Sequence, residues 1–208
     1  RDWSSDVCSS DLKNIDYPWD WFGLVRKDME KFINNNEYDN NKINKILINL
    51  MNKNINIPFF WNILSENKYL TWDIIKNNLD KPWNWYNISK NNNITWDIIK
   101  NNLDKPWNWY GVSKNPNISI NIIKNNLDKP WDWIIISELS YISWNTICNN
   151  LYLPWNWSSI SSNPNITWNI IINNLDKPWD WSSISSNSNI NWTIIINNLD
   201  KPWDWNYI

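Results

Sequence analysis

Adjacent aspartate and lysine residues are the feature of this sequence that most readily suggests chemistry. They occur at Asp80-Lys81, Asp104-Lys105, Asp128-Lys129, Asp176-Lys177 and Asp200-Lys201. A carboxylate beside an ammonium group could take part in acid–base catalysis. A catalytic site is a single constellation of residues, however, and a pair that returns in most copies of a repeat is typical of structure. We therefore predict that these pairs are structural and that the chain is not an enzyme.

The sequence carries few other residues that bind ligands or catalyse reactions. It contains no histidine, which is the commonest general base and metal ligand. Its two glycines, Gly23 and Gly111, cannot form a glycine-rich phosphate loop. No cluster of metal-ligating residues is visible in the sequence. The composition therefore predicts neither a cofactor nor a bound metal.

The charge balance bears on the class of partner. The chain has 19 basic and 21 acidic side chains, and 18 of each remain when residues 1–12 are set aside. A neutral chain has no electrostatic attraction to nucleic acid or to an anionic membrane. No apolar run approaches the roughly 20 residues that span a bilayer. We predict no nucleic-acid partner and no membrane association. Outside residues 1–12, Cys148 is the one cysteine, so no disulfide framework is expected.

The chain divides into three segments by sequence pattern. Residues 1–12 resemble a translated sequencing adapter, and we predict that they are disordered. Residues 13–57 read as a degenerate first repeat with a helical insertion, in which Leu24–Ile33 and Ile43–Met51 have helical apolar spacing. Residues 58–208 are expected to be tandem 24-residue repeats.

The repeat is marked by a Pro-Trp-Asx-Trp element. Its prolines stand 24 residues apart, at Pro82, Pro106, Pro130, Pro154, Pro178 and Pro202. A fixed period of roughly 20–50 residues is typical of arrays in which neighbouring units stack to bury their apolar faces.

A short first helix is predicted in every repeat. Its N-cap residues recur every 24 positions, at Thr71, Thr95, Ser119, Ser143, Thr167 and Asn191. An apolar residue precedes each cap and an isoleucine follows four positions later, as Leu70 and Ile75 do, which is the pattern of a hydrophobic staple. Trp72, Ile75 and Leu79 then form an i, i+3, i+7 stripe, so we expect a helix of about two turns with all three side chains buried.

A second helix is predicted to begin at the proline. Proline suits the first helical position because it has no intrahelical hydrogen bond to lose there. The Asn/Ser/Pro-rich segments that follow, such as residues 113–117, would end the helix. The chain is therefore predicted to be all-α, an α-solenoid of short two-helix units with a 24-residue period. A β-solenoid is the weaker alternative, since the leucine/asparagine framework of leucine-rich repeats is missing.

The tryptophans can be interpreted as a core or as an aromatic binding surface. Identical register in every copy favours the core, because a two-helix unit has few positions to bury and each needs a large side chain. We expect burial above all for Trp85 and its equivalents, and expect Trp83 and its equivalents to contact a neighbouring repeat. The tryptophans assigned to the structural repeat are Trp83, Trp85, Trp107, Trp109, Trp131, Trp133, Trp155, Trp157, Trp179, Trp181, Trp203 and Trp205.

The repeat unit also resembles a known type of sequence. Residues Ile166-Thr167-Trp168 and Asp176-Lys177-Pro178-Trp179-Asp180-Trp181, with Ser185, are similar to tandem repeats in uncharacterised proteins of giant DNA viruses of the mimivirus kind. The resemblance covers about residues 70–208. The third copy departs from it at Ile120, and the fifth departs at Leu151-Tyr152-Leu153. The resemblance implies a viral protein of the host cytoplasm or the virion, but it implies no activity and no substrate.

Three functions are compatible with this pattern. The first is a scaffold for protein–protein interaction with an unknown protein partner. The others are a structural or particle-associated protein and an aromatic surface for a glycan or a proline-rich peptide. Positions that differ between copies are the candidates to face a partner, with unconstrained drift as the alternative. They are Tyr86, Asn87, Tyr110, Gly111, Ile134, Ile135, Ser158, Ser159, Ser182 and Ser183.

The C-terminal repeats suggest a further contact. The fifth position of the first helix reads Lys76, Lys100, Lys124, Cys148, Ile172 and Ile196. Repeat arrays need polar capping units, and none follows Ile208. We therefore expect that the chain is a fragment that self-associates through an unfinished C-terminal face. Wider contact between neighbouring repeats is the alternative.

Overall fold

A computed structural model of the chain describes residues 58–207 together with Leu47, Ile48, Met51 and Asn52. These residues form short α-helices joined by turns, with no β-strand among them. The chain divides into two compact units, one that ends at Trp107 and one that begins at Asn108. The prediction of an all-α repeat solenoid is confirmed. No helix within residues 58–207 has the length and hydrophobicity needed to cross a membrane.

The helices alternate between two kinds. Those of the first unit are α1 (Pro58–Glu66), α2 (Trp72–Lys76), α3 (Trp85–Lys90) and α4 (Trp96–Lys100). Those of the second unit are α5 (Trp109–Ser113), α6 (Ile120–Lys124), α7 (Trp133–Glu138), α8 (Trp144–Cys148), α9 (Trp157–Ser162), α10 (Trp168–Ile172), α11 (Trp181–Ser185) and α12 (Trp192–Ile196). Even-numbered helices are the first helices predicted from the N-caps, and odd-numbered helices are the second helices. Second helices pack on one another: α1 on α3 in the first unit, and α5, α7, α9 and α11 in succession in the second.

The start of the first helix matches the prediction. All six predicted N-cap residues occupy the N-cap position. Four of them, Thr95, Ser119, Ser143 and Asn191, also accept a hydrogen bond from the backbone N–H three residues later. The staple isoleucines are buried in every repeat. Full burial of an isoleucine contributes about 1.5–3 kcal/mol, so the staple is a main attachment of each first helix.

The end of the first helix differs from the prediction. The helix has five residues rather than two turns, and Leu79, predicted to be buried, is exposed. The cause is Asn78, whose side-chain amide donates to the carbonyl of Ile74 at 2.8 Å and satisfies the helix end. The leucines at this position are 41–63% exposed: Leu79, Leu103, Leu127, Leu151, Leu175 and Leu199.

The second helix begins three residues later than predicted. Pro82 precedes it, and Trp85 is its first residue. The N-cap is Asn84, whose side chain accepts a hydrogen bond from the N–H of Asn87. The Asx residue of the Pro-Trp-Asx-Trp element caps the second helix in the same way at Asn108, Asp132 and Asn156, and Asp180 caps α11 by accepting from the N–H of Ser182, two residues later. An Asx side chain that can reach a free backbone N–H is a stronger start signal than proline.

A serine in each second helix bonds to the next repeat. Ser161 is fully buried, and its hydroxyl oxygen accepts a hydrogen bond at 3.0 Å from the N–H of Asp180. Because Asp180 is the N-cap of α11, this bond fixes where the next second helix begins. Equivalent bonds join Ser65 to Asn84, Ser113 to Asp132, Ser137 to Asn156, and Ser185 to Asp204.

Asparagine side chains bond to the backbone of the preceding repeat. The amide of Asn163 donates to the carbonyl of Ser137 at 2.9 Å, and that of Asn165 donates to Ile142 at 3.2 Å. The pairs Asn91 and Asn93, and Asn187 and Asn189, make the equivalent bonds. These amides satisfy carbonyl groups near the ends of the second helices and in the turns that precede the first helices.

The predicted degenerate first repeat lies mostly outside the described residues, as do residues 1–12 and the helical pattern at Leu24–Ile33. Within the pattern Ile43–Met51, Leu47, Ile48 and Met51 are described and helical. Leu47 and Met51 are buried, as their i, i+4 spacing predicts.

Candidate interaction surface

The Asp-Lys pairs form ion pairs within each pair. The Nζ of Lys105 lies 2.6 Å from Oδ2 of Asp104, and the other pairs have distances of 2.5–2.9 Å. The hydrogen bond from the lysine lowers the pKa of each aspartate. The carboxylate is thus held in its charged form at neutral pH, which is the opposite of what a general acid needs.

One polar cleft lies in the first unit. It has a volume of about 280 Å³ and is lined by Glu66, Lys68, Asn87, Lys90, Asn91 and Asn92. The carboxylate of the cleft is paired, since Nζ of Lys90 lies 3.0 Å from Oε1 of Glu66, and the second lysine, Lys68, lies 5.1 Å from the centre of the Tyr69 ring. Among the described residues, no group of three or more His, Cys, Asp or Glu side chains is placed to hold a metal ion.

The predicted partner-facing positions separate into two sets. The first residue of each pair is exposed or partly exposed: Tyr86, Tyr110, Ile134, Ser158 and Ser182. The second residue is buried in four pairs, at Asn87, Gly111, Ile135 and Ser159, and partly exposed at Ser183. The amide of Asn87 shows what such a buried position does, because it donates to the carbonyl of Asn62 in the preceding repeat at 3.0 Å. Only the first set, with Ser183, is placed to meet a partner.

The chemistry of the exposed set changes along the chain. In the first unit Lys90 lies 4.8 Å from the centre of the Tyr86 ring. In the second unit Lys114 lies 4.4 Å from the Tyr110 ring, a similar cation–π contact. The next repeat instead presents Ile134, which is 53% exposed. The last two described second helices, α9 and α11, present serines, and the hydroxyls of Ser158 and Ser183 lie 2.8 Å apart.

The two tryptophans of the Pro-Trp-Asx-Trp element differ in burial, and the order is the reverse of the prediction, which expected the second to be the more deeply buried. The first tryptophan of the element is buried in every repeat, at 6–9% exposure, whereas the second is partly exposed, and Trp205 is 58% exposed. The indole N–H of the first explains the difference. In Trp131 it donates to the carbonyl of Asn126 at 2.7 Å, and the equivalent bond is present in all six repeats from Trp83 to Trp203. The extended Pro-Trp segment turns this ring inward, and the next tryptophan starts the helix nearer the surface.

The tryptophan rings contact each other between repeats. Trp157 packs edge-on against Trp179 of the next repeat, with ring centres 5.4 Å apart and an interplanar angle of 88°. Trp144 of the first helix stacks on the same Trp179 at 5.4 Å. Trp168, Trp181 and Trp203 form the equivalent trio. The prediction that the first tryptophan of the element contacts a neighbouring repeat is confirmed.

The partly exposed tryptophans carry hydrogen-bond donors that are not used within the described structure. No bond is made by the indole N–H of Trp109, Trp133, Trp144, Trp157, Trp168 or Trp181 among the described residues. The one buried side-chain N or O atom without a partner in that part of the chain is Oδ1 of Asn150. These N–H groups therefore reach solvent, unlike those of the buried tryptophans.

Sequence reasoning missed the serines and asparagines that join neighbouring repeats. Ser65, Ser113, Ser137, Ser161 and Ser185 belong to a row with a 24-residue period, as do Asn67, Asn91, Asn115, Asn163 and Asn187. The serine row is unbroken, whereas the asparagine row is interrupted once, by Leu139. The return of one residue type at the same register position was the available signal, because a position that only ends a helix or faces solvent tolerates several polar residues.

Comparisons of the chain with protein-family models, with curated proteins and with solved structures gave no significant match.

Proposed function

We propose that this chain is a non-enzymatic repeat scaffold that binds other proteins through the exposed side of its second helices. One contrast supports the proposal. The buried staple isoleucines and the buried first tryptophan of the Pro-Trp-Asx-Trp element are the same in every repeat. The exposed first position of each variable pair changes from Tyr86 and Tyr110 to Ile134 and then to Ser158 and Ser182. A surface that varies on a constant frame is how repeat proteins select their partners.

The centre of the proposed surface is Tyr110 and Ile134, both in the second unit. Both side chains are large and more than 40% exposed, one aromatic and one aliphatic. They lie on α5 and α7, which pack on each other. Exposed apolar and aromatic side chains close together on a soluble domain mark interaction sites. The serines of α9 and α11 would form a polar border to this contact.

A photo-crosslinking amino acid at position 134 tests the proposal. The labelled chain is applied to an array of folded proteins and peptides, and a control chain carries the label at Leu175, which is 47% exposed and lies between α10 and α11. We expect discrete adducts from position 134 that are competed by unlabelled chain, weakened by Ile134→Ser, and missing from the control. Equal labelling from both positions, or none from position 134, would contradict the proposal.

A second candidate function is supported by a different observation. The aromatic surface suggested by the tryptophan content remains a candidate because six partly exposed indoles of the second unit have N–H groups that bond to no other described residue.

A further inference from the structure

We infer that the partly exposed indoles of the second unit bind a proline-rich peptide in the polyproline II conformation. The indole row is defined as Trp109, Trp133, Trp144, Trp157, Trp168 and Trp181. The inference rests on the proposed scaffold role, but it uses a different set of side chains from Tyr110 and Ile134.

The first argument is the supply of hydrogen-bond donors. Each indole of the row combines a partly exposed ring with an N–H that has no partner among the described residues. Trp155 and Trp179, which are outside the row, donate instead to Asn150 and Asn174. Polyproline II segments have free backbone carbonyls because the helix has no internal hydrogen bonds. Aromatic grooves that recognise such segments supply ring faces together with donors to these carbonyls.

The second argument is the rigidity of the row. Trp144 and Trp157 lie 6.4 Å apart at an angle of 72°, and both rings rest on the buried Trp179. Trp168 and Trp181 lie 6.5 Å apart at 67° and rest on Trp203 in the same way. Side chains that are fixed before binding lose little conformational entropy when a ligand arrives. The two pairs repeat one geometry in consecutive repeats.

The third argument is charge. The residues that follow these six tryptophans in the sequence are neutral: Tyr110, Ile134, Asn145, Ser158, Asn169 and Ser182. Nucleic acid needs lysine or arginine at the surface that contacts it. The formal charges adjacent to the row in the sequence, Asp132 and Asp180, are negative, and both carboxylates accept backbone N–H groups as N-caps. A surface with N–H donors and no adjacent positive charge in the sequence matches an uncharged ligand that is rich in acceptors. A proline-rich segment has these properties.

The fourth argument is spacing. Packed helices are separated by about 8–10 Å, which sets the step from one repeat to the next. A polyproline II helix advances about 3.1 Å per residue with three residues per turn, or about 9.3 Å per turn. Consecutive repeats can therefore present an indole to consecutive turns of one extended peptide.

The test is an NMR titration of the whole chain, labelled with ¹⁵N-tryptophan, in which decaproline is added and the indole N–H signals are followed. We expect decaproline to shift the signals of Trp157 and Trp181 and to leave those of Trp155 and Trp179 in place. Uniform shifts, or none at millimolar peptide, would overturn the inference. Chitohexaose provides a second arm. If it shifts these signals while decaproline does not, the row binds glycans and the inference is wrong.

Variants separate the donor from the ring. Trp157→Phe keeps an aromatic ring but removes the N–H, and it should weaken decaproline binding about fivefold, the value of one net hydrogen bond. Leu175→Ala, which removes an exposed apolar side chain outside the row, is the matched control and should bind as the parent does. Ile120→Trp should strengthen binding, because it adds a ring at the position that Trp144 and Trp168 hold in later repeats. Unchanged binding in Trp157→Phe would overturn the inference. None of these results alters the crosslinking test of position 134, so the two proposals can fail separately.

Discussion

The hydroxyl of Tyr141 donates a hydrogen bond to the carbonyl of Ile118 at 2.8 Å, in a position where other repeats use an asparagine. Asn165, one repeat later, reaches the equivalent carbonyl of Ile142 with its amide. The two side chains differ in length and shape but satisfy the same backbone group. Conservation of this hydrogen bond, rather than of the residue, suggests that the carbonyl must be paired for neighbouring repeats to stack.

Removal of the Tyr141 hydroxyl should therefore destabilise the second unit. We expect Tyr141→Phe to lower the free energy of unfolding by about 1 kcal/mol, because the ring stays and only the hydrogen bond is lost. Tyr141→Asn should recover part of the loss. Urea unfolding followed by circular dichroism provides the measurement. Tyr152→Phe is the control, since Tyr152 is 67% exposed, and a comparable loss there would refute the assignment.

The sequence was sufficient for the fold class and the start of each first helix. Thr95 and Ile99 act through contacts within five residues, and such local signals repeat six times. The end of the first helix could not be predicted in the same way. The i+7 position of Leu79 assumes that the helix continues, but Asn78 ends it by bonding to Ile74.

The contacts between repeats were harder to derive. The burial of Trp131 depends on a hydrogen bond from its indole N–H to the carbonyl of Asn126. That carbonyl is free to accept because α6 ends at Lys124, two residues before Asn126. The hydrogen bond between Ser161 and Asp180 spans 19 residues and has no local signature. For the candidate surface, the sequence identified the variable pairs, but only the packing distinguishes exposed Ile134 from buried Ile135.

The two tryptophans of one repeat should differ in their contribution to stability. Trp131 is 7% exposed and bonded to Asn126, whereas Trp133 is partly exposed. We expect Trp131→Ala to cost about 3–5 kcal/mol, the range for a buried aromatic, and Trp133→Ala to cost clearly less. Chemical unfolding of both variants against the parent provides the comparison. A larger loss for Trp133→Ala would restore the burial order that the sequence suggested.

Acid should weaken the fold through the Asp-Lys pairs. The pKa values of Asp80, Asp104, Asp128, Asp176 and Asp200 are lowered by hydrogen bonds from the following lysines. A carboxyl group whose pKa is lower in the folded state stabilises that state above the unfolded pKa of about 3.9. This contribution is lost as the pH falls through the lower, folded value, so the melting temperature should fall between pH 4 and pH 2. Each exposed pair contributes little, but all five act in the same direction.

A variant with all five aspartates changed to asparagine is the control for this pH dependence. It should melt at a lower temperature than the parent at pH 7, and its melting temperature should change less between pH 4 and pH 2. Identical pH profiles for the two chains would show that the ion pairs do not contribute.

The buried serine of the second helix offers the sharpest test of how repeats are joined. Ser161 is fully buried and accepts the N–H of Asp180 at 3.0 Å, whereas its neighbour Ser162 is exposed. Ser161→Ala leaves that backbone donor without its partner, which should cost about 1–3 kcal/mol. Ser162→Ala makes the same chemical change one residue away and should leave the free energy of unfolding within about 0.5 kcal/mol of the parent.

Hydrogen exchange locates the effect of Ser161→Ala. The amide of Asp180 should exchange faster in this variant, and protection should also fall in α11, whose first turn the bond positions. The amide of Asp132, which bonds to Ser113 in the same unit, should keep most of its protection. If the two amides lost protection equally, the serine would contribute to the unit as a whole and would not specifically join one repeat to the next.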